Sequence, residues 1–191
     1  MSEKHMQSIE NYASRLSELL KSFDWSPVEA LGQEMWDCWV NNRQVFICGN
    51  GGSAANAMHL ANDFIYGIGK SIGSGLRIHA LPSNPSVLTC LANDEGYDSI
   101  FSHQLLVQSN PGDLLIALSG SGNSGNILEA LKCAKKRNLV SCAILGYSGG
   151  GAKELADIPI HFPIDDMQIS EDLQLVVGHM VMQLLFARNK E

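Results

Sequence analysis

Two turns of small residues and two pairs of titratable side chains carry the chemistry this sequence could perform. The first turn is Ser119-Gly120-Ser121-Gly122-Asn123-Ser124, placed between the apolar run Asp113–Leu118 and a helical pattern from Asn126. A short buried strand, a tight turn and a helix start make an anion site, because free backbone N–H groups and the positive end of the helix dipole face outward. Glycines admit a ligand close to the backbone, and the three serines add hydroxyl donors. The turn holds no Lys or Arg, so neutral donors must supply the affinity. That suits a sugar monophosphate better than a nucleoside triphosphate, and the Walker pattern GxxxxGK[ST] is absent. The plainer reading is a strand-to-helix loop with Ser124 as its N-cap.

The second turn, Gly49-Asn50-Gly51-Gly52-Ser53, leaves the apolar run Gln44–Cys48 and enters a helix expected over 54–66. Two such turns in one sheet could grip one ligand from two sides. On that helix His59 and Asp63 stand four residues apart and share a face, which suits joint metal ligation or one orienting the other. Glu171 and His179 lie eight residues apart near the end of the chain, about 12 Å of rise on a straight helix. Both reach one ion only if that helix starts late, if Glu171 comes from a loop, or if they belong to different subunits. From the residues alone, His59 and His179 sit in apolar surroundings where a satisfied core histidine is the ordinary occupant, and Asp63 could simply solvate a helix surface.

These side chains need a rigid frame, and the pattern supplies one. Helical stripes are expected over 4–22 and over 26–41, the second opened by Ser26 as N-cap with Pro27 following. It should bury Val28, Leu31, Met35, Trp36 and Trp39 as core or subunit interface. Strands are expected at 44–48, 77–81, 113–118, 140–145 and 158–162, with helices at 54–66, 86–92, 98–108, 125–137, 152–156 and 170–188 and a loose loop at 67–75. The alternation predicts an α/β fold: a three-layer, doubly wound parallel sheet preceded by two N-terminal helices. One domain spans 1–191, with the helical pair at about 4–41 and the α/β core at about 44–191. Ligands of such sheets bind beyond the C-terminal ends of the strands, where the two turns fall.

A net charge of −7 argues against a nucleic-acid or anionic-membrane partner. The five cysteines form no CxxC pair and lie mostly in apolar runs, which reads as a reduced, cytoplasmic protein. The polar N-terminus and the lack of an 18-residue apolar run predict neither a secretory leader nor a membrane span.

The set Cys48–Ser53, Met58-His59, Ala92-Asn93-Asp94, Ser119–Ser124 and Gly149-Gly150 resembles the sugar isomerase (SIS) family, in particular its phosphoheptose isomerase branch. The resemblance runs over nearly the whole chain. It implies a flavodoxin-like sheet and a homotetramer that isomerises sedoheptulose 7-phosphate for lipopolysaccharide or capsule. It also implies phosphate held by Ser53, Ser119, Ser121 and Ser124, with Asn50, Gly51, Gly52, Asn93, Asp94, Gly120 and Glu171 around the substrate. Asp63 and His179 take the positions of the catalytic pair, and His59, Asp63, Glu171 and His179 those of a four-ligand zinc site. Three departures stand out: Asp63 where the family usually has Glu, Glu171 where it usually has Gln, and no Arg after the acid, where this chain has Tyr66-Gly67. Two other readings remain: a non-catalytic member that binds a replication initiator protein, and a sensor that binds a sugar phosphate without turning it over. Retention of an acid at 63 and of His179 opposes the former, while the shorter acid permits the latter.

Overall fold

The computed structural model describes residues 3–68 and 74–188. The chain forms, in order, α1 (Glu3–Ser22), α2 (Ser26–Val40), β1 (Gln44–Gly49), α3 (Gly52–Asn62), β2 (Arg77–Ala80), α4 (Pro85–Asp94), α5 (Ser102–Gln108), β3 (Leu114–Ser119), α6 (Gly125–Arg137), β4 (Val140–Leu145), α7 (Gly150–Leu155), β5 (Ile158–His161) and α8 (Met167–Arg188). Along the central strands the side chains alternate between two apolar layers. Val45 and Ile47 enter one and Phe46 and Cys48 the other, as do Leu114 and Ile116 against Leu115 and Ala117. A strand that is apolar on both faces needs helices on both faces. The first layer is closed by α1, α2, α3 and α8 and the second by α5, α6 and α7.

All pairings are parallel and the strand order is β2-β1-β3-β4-β5, so the three-layer, doubly wound expectation holds. The order reverses between β1 and β3, which opens a crevice at their C-terminal ends. Both glycine- and serine-rich turns leave the sheet there.

Several boundaries differ from the pattern reading, each for a local reason. Trp25, not Ser26, precedes the first turn of α2. The Asp24 carboxylate takes both the Ser26 N–H at 3.1 Å and its hydroxyl at 2.9 Å, and these bonds hold the Asp24 carboxyl below its usual range. On α2, Val28, Leu31, Met35 and Cys38 are buried, whereas Trp36 and Trp39 are half-buried. The helix expected at 54–66 starts earlier, at Gly52, and widens into a π turn over Asp63–Gly67. Leu76 N–H bonds the Phe64 carbonyl at 2.9 Å, so the chain entering β2 takes an acceptor the wider turn leaves open. Helix α4 starts at Pro85 because the Asn84 side chain caps it, accepting from the N–H groups of Ser86 and Val87. The helix expected from 98 becomes a short 3-10 turn, Tyr97–Ser99, followed by α5. Of the loop expected at 67–75, residues 69–73 lie outside the described residues. The five thiols are unpaired, four are buried, and Cys90 is exposed.

Candidate functional site

The turns after β1 and β3 face a common cavity of about 270 Å³. Asn50, Gly51, Gly52 and Ser53 line it from one side, Ser119, Gly120, Ser121 and Ser124 from the other, and Glu171 enters from α8. Ser119 Oγ accepts the Gly122 N–H at 3.0 Å and Ser121 Oγ accepts the Asn123 N–H at 3.2 Å. Each hydroxyl thereby braces the turn as an acceptor and keeps its proton for a ligand. Ser124 occupies the N-cap position of α6, as the plain-loop reading has it, but its side chain makes no cap bond. The open N-terminus of α6 points its dipole at the cavity. Asn50 and the buried Asn126 exchange amide bonds of 2.9 and 2.8 Å, which lock the two turns together.

Asn93 and Asp94 lie elsewhere. They are exposed on the last turn of α4, bonded to each other at 2.7 Å, and neither lines the cavity. Beyond them, Tyr97 contacts the Gly49–Ser53 turn, its hydroxyl donating to Asn50 Oδ1 at 3.1 Å. Cys48, the last residue before the Gly49–Ser53 turn, is buried, and burial pushes its thiol up to about 12.

Helices α3 and α8 run side by side in the same direction, and their seam sets the remaining geometry. At its start the Glu171 carboxylate lies on the backbone of Gly52, where a Cβ would collide with it. Next, Gln174 donates to Ser53 Oγ at 2.9 Å and accepts from Asn56 Nδ2 at 3.0 Å. Leu60 then packs on Gly178, again where a Cβ would collide. At the far end Asp63 Oδ2 lies 3.3 Å from His59 Nε2 and 3.4 Å from His179 Nε2, and the two Nε2 atoms are 3.3 Å apart. Neither histidine is a core residue, since both side chains are 50% exposed and Asp63 is 24% exposed.

These three atoms form the group of metal-ligating side chains found among the described residues. Donors bound tetrahedrally at the usual zinc distances stand about 3.3–3.4 Å from one another, so the observed triangle fits one face of such a site. Glu171 is not in the group. Because α8 begins at Met167, Glu171 is already helical and sits two turns before His179, against the substrate cavity.

The sequence reading missed Gln174, Asn56, Asn126 and Gly178. Spacing held a signal for three of them, since Glu171, Gln174 and Gly178 follow an i, i+3, i+7 stripe matching Ser53, Asn56, Leu60 and Asp63 on α3.

Known proteins share this architecture. The SIS domain model matches residues 9–146. A phosphoheptose isomerase of Synechocystis is 37% identical over 177 residues, covering 91% of each chain. One from Chlorobaculum tepidum is 37% identical over 176 residues, covering 91% of this chain and 84% of that protein. The solved phosphoheptose isomerase from Neisseria gonorrhoeae superposes with a TM-score of 0.88 at 27% identity, covering 96% of this chain and 98% of the other. With the family model spanning well over half of the sequence, this chain belongs to the SIS domain family.

Proposed function

We propose that this protein is an aldose–ketose isomerase that interconverts sedoheptulose 7-phosphate and D-glycero-D-manno-heptose 7-phosphate. The observation that carries the reading is the two-ended seam. An anion cavity with neutral donors sits at the start of α3, and a carboxylate–histidine group sits further along the same helix. Ser53 and His59 are six residues apart, about 9 Å of rise. A sugar phosphorylated at one end and reacting at the other needs that separation. The name shared by the relatives supports the same substrate class.

In this reading the turns fix the phosphate, and Asp63 moves a proton from C1 to C2. Oδ2 faces the histidines, while Oδ1, which accepts from Asn62 Nδ2 at 3.3 Å, keeps a lone pair for the carbon-bound proton. His179 donates a proton to the C2 carbonyl oxygen as Asp63 takes the C1 proton, giving the enediol; His179 then takes back the C1 hydroxyl proton while Asp63 returns its proton to C2, which completes the aldose. His59 holds Asp63 from the other side. His59, Asp63 and His179 would hold a zinc ion, which would supply the positive charge that His179's proton otherwise brings to the oxygen.

The exposed catalytic group supports a homotetramer with sites between subunits. So does an apolar hollow of about 760 Å³ between the start of α2 and the end of α8, lined in part by Val28, Met180 and Leu184.

The test is NMR of sedoheptulose 7-phosphate with the protein in deuterium oxide, with and without zinc, beside His179→Ala. Aldose carrying deuterium at C2, lost in the variant, supports the isomerase. Binding without exchange in either condition selects the non-catalytic sugar-phosphate sensor.

A further inference from the structure

We propose that Gln174 and Asn56 are positioning residues that set the polarity of Ser53, making its hydroxyl a donor to the substrate phosphate. This rests on the phosphosugar reading of the cavity and extends it to residues outside the turns. The chain of bonds starts at the backbone carbonyl of Glu171, which can only accept. It takes one hydrogen of the Asn56 amide at 3.0 Å, so the NH2 end of Asn56 must face α8. The second hydrogen of that NH2 goes to Gln174 Oε1 at 3.0 Å. With its oxygen so engaged, Gln174 must present its own NH2 to Ser53, and Nε2 donates to Oγ at 2.9 Å.

Gln174 is 1% exposed and Ser53 4% exposed, so water does not compete for these bonds. A hydroxyl offers one proton and two lone pairs. Once Gln174 fills a lone pair, the proton of Ser53 is left to point into the cavity that Ser53 lines. A serine in a first helical turn otherwise tends to turn its proton back onto local backbone carbonyls. The relay opposes that without adding charge to a pocket that already contains the Glu171 carboxylate.

The experiment is a double-mutant cycle read by steady-state kinetics on sedoheptulose 7-phosphate and by calorimetry with inorganic phosphate. Gln174→Met removes the donor at nearly constant shape, and Asn56→Asp, at a half-buried position, makes Gln174 turn its amide over and offer Ser53 an acceptor. Each should raise KM and the phosphate Kd roughly fivefold, while kcat stays within about twofold, because the lost interaction is with the ground-state phosphate. In a Ser53→Ala background neither substitution should add more than about twofold, since residues acting through one hydroxyl are not additive. Effects that multiply in that background, or a loss of kcat at constant KM, overturn the relay. If Gln174→Met fails to fold, the Asn56→Asp cycle decides by the same criteria. A wild-type protein that binds neither probe overturns the phosphosugar reading itself, a result distinct from an additive cycle.

Discussion

His59 Nε2 and His179 Nε2 stand 3.3 Å apart although 120 residues separate them in the chain, and both reach the same oxygen of Asp63. Two imidazole lone pairs at that distance repel unless a proton or a cation lies between them. The metal-free protein is therefore expected to take up one zinc ion per protomer in calorimetry. His59→Ala should weaken uptake roughly tenfold or more, since it removes one of the three donors. Glu171→Gln should leave it within about twofold, because Glu171 lies two turns from the group. Equal losses in the two variants would restore Glu171 to the ligand set.

Replacing Ser121 and Ser124 together by Ala removes two hydroxyl donors from the phosphate end, together with the brace that Ser121 Oγ gives the Asn123 N–H. A hydrogen bond to a charged oxygen contributes about 1.5–3 kcal/mol, so sugar-phosphate affinity should drop at least about tenfold. Calorimetry showing unchanged affinity refutes the placement of the phosphate.

How much of this was legible in the sequence depended on whether the signal was local. The strands and the two turns were, because continuous apolar runs ending in Gly and Ser report on a few consecutive residues. Asp113 illustrates the limit. The pattern makes it the first residue of a strand, yet it lies just before β3, its buried carboxylate accepting from Gln44 N–H at 2.9 Å and Asn110 N–H at 2.7 Å. Residue types alone made His59 and His179 core histidines. Only the parallel packing of α3 on α8, fixed by contacts over a hundred residues apart, brings them to one carboxylate. The same packing carries Glu171 to the substrate cavity and away from the histidines. The resemblance places Asn93 and Asp94 around the substrate, but Asn84 starts α4 so that both end on its exposed last turn.

Assembly should show in solution. The hollow beside Val28, Met180 and Leu184 leaves Met180 36% and Leu184 40% exposed, apolar area that a second copy would cover. Light scattering at micromolar concentration is expected to give the mass of a tetramer. A monomer there argues against sites shared between subunits.

The start of α8 should be pH-sensitive through Asp166. Its Oδ1 accepts the Ile169 N–H at 3.1 Å and its Oδ2 pairs with Arg15 at 2.9 Å. The Ile169 bond first, and Arg15 with it, hold the Asp166 carboxyl below its usual range. A carboxyl lowered on folding adds stability that is present above the unfolded pKa and is lost as pH falls through the folded one. Asp166→Ala should therefore cost about 1 kcal/mol at neutral pH, as for other N-caps. Thermal melts of the two proteins should converge as the pH drops below the ordinary carboxylate range; a constant gap contradicts the assignment.

The short acid at 63 is matched to the close contact at Gly178. Leu60 packs where a Cβ of residue 178 would stand, so α8 lies nearer to α3 than any other residue at that position would allow. Asp63, three residues after Leu60, then reaches His179 without the extra methylene of Glu. Gly178→Ala gains about 1 kcal/mol in helix propensity but forces overpacking that costs about 1–3 kcal/mol, so the fold should survive with modest loss. The larger effect should be catalytic. Separating α3 from α8 displaces the carboxylate from the histidine, and misplacement of up to an ångström can lower kcat by roughly tenfold to a hundredfold. KM should move less than kcat, because the phosphate turns are anchored on β1 and β3 and the Gln174–Ser53 contact lies a turn away from Gly178. Adding Asp63→Glu to Gly178→Ala lengthens the acid to span the wider gap and should recover most of the lost turnover. Asp63→Glu alone, in the close-packed parent, should be harmful. If Gly178→Ala keeps full turnover, or the second substitution deepens the loss, helix spacing is not what lets aspartate serve at this position.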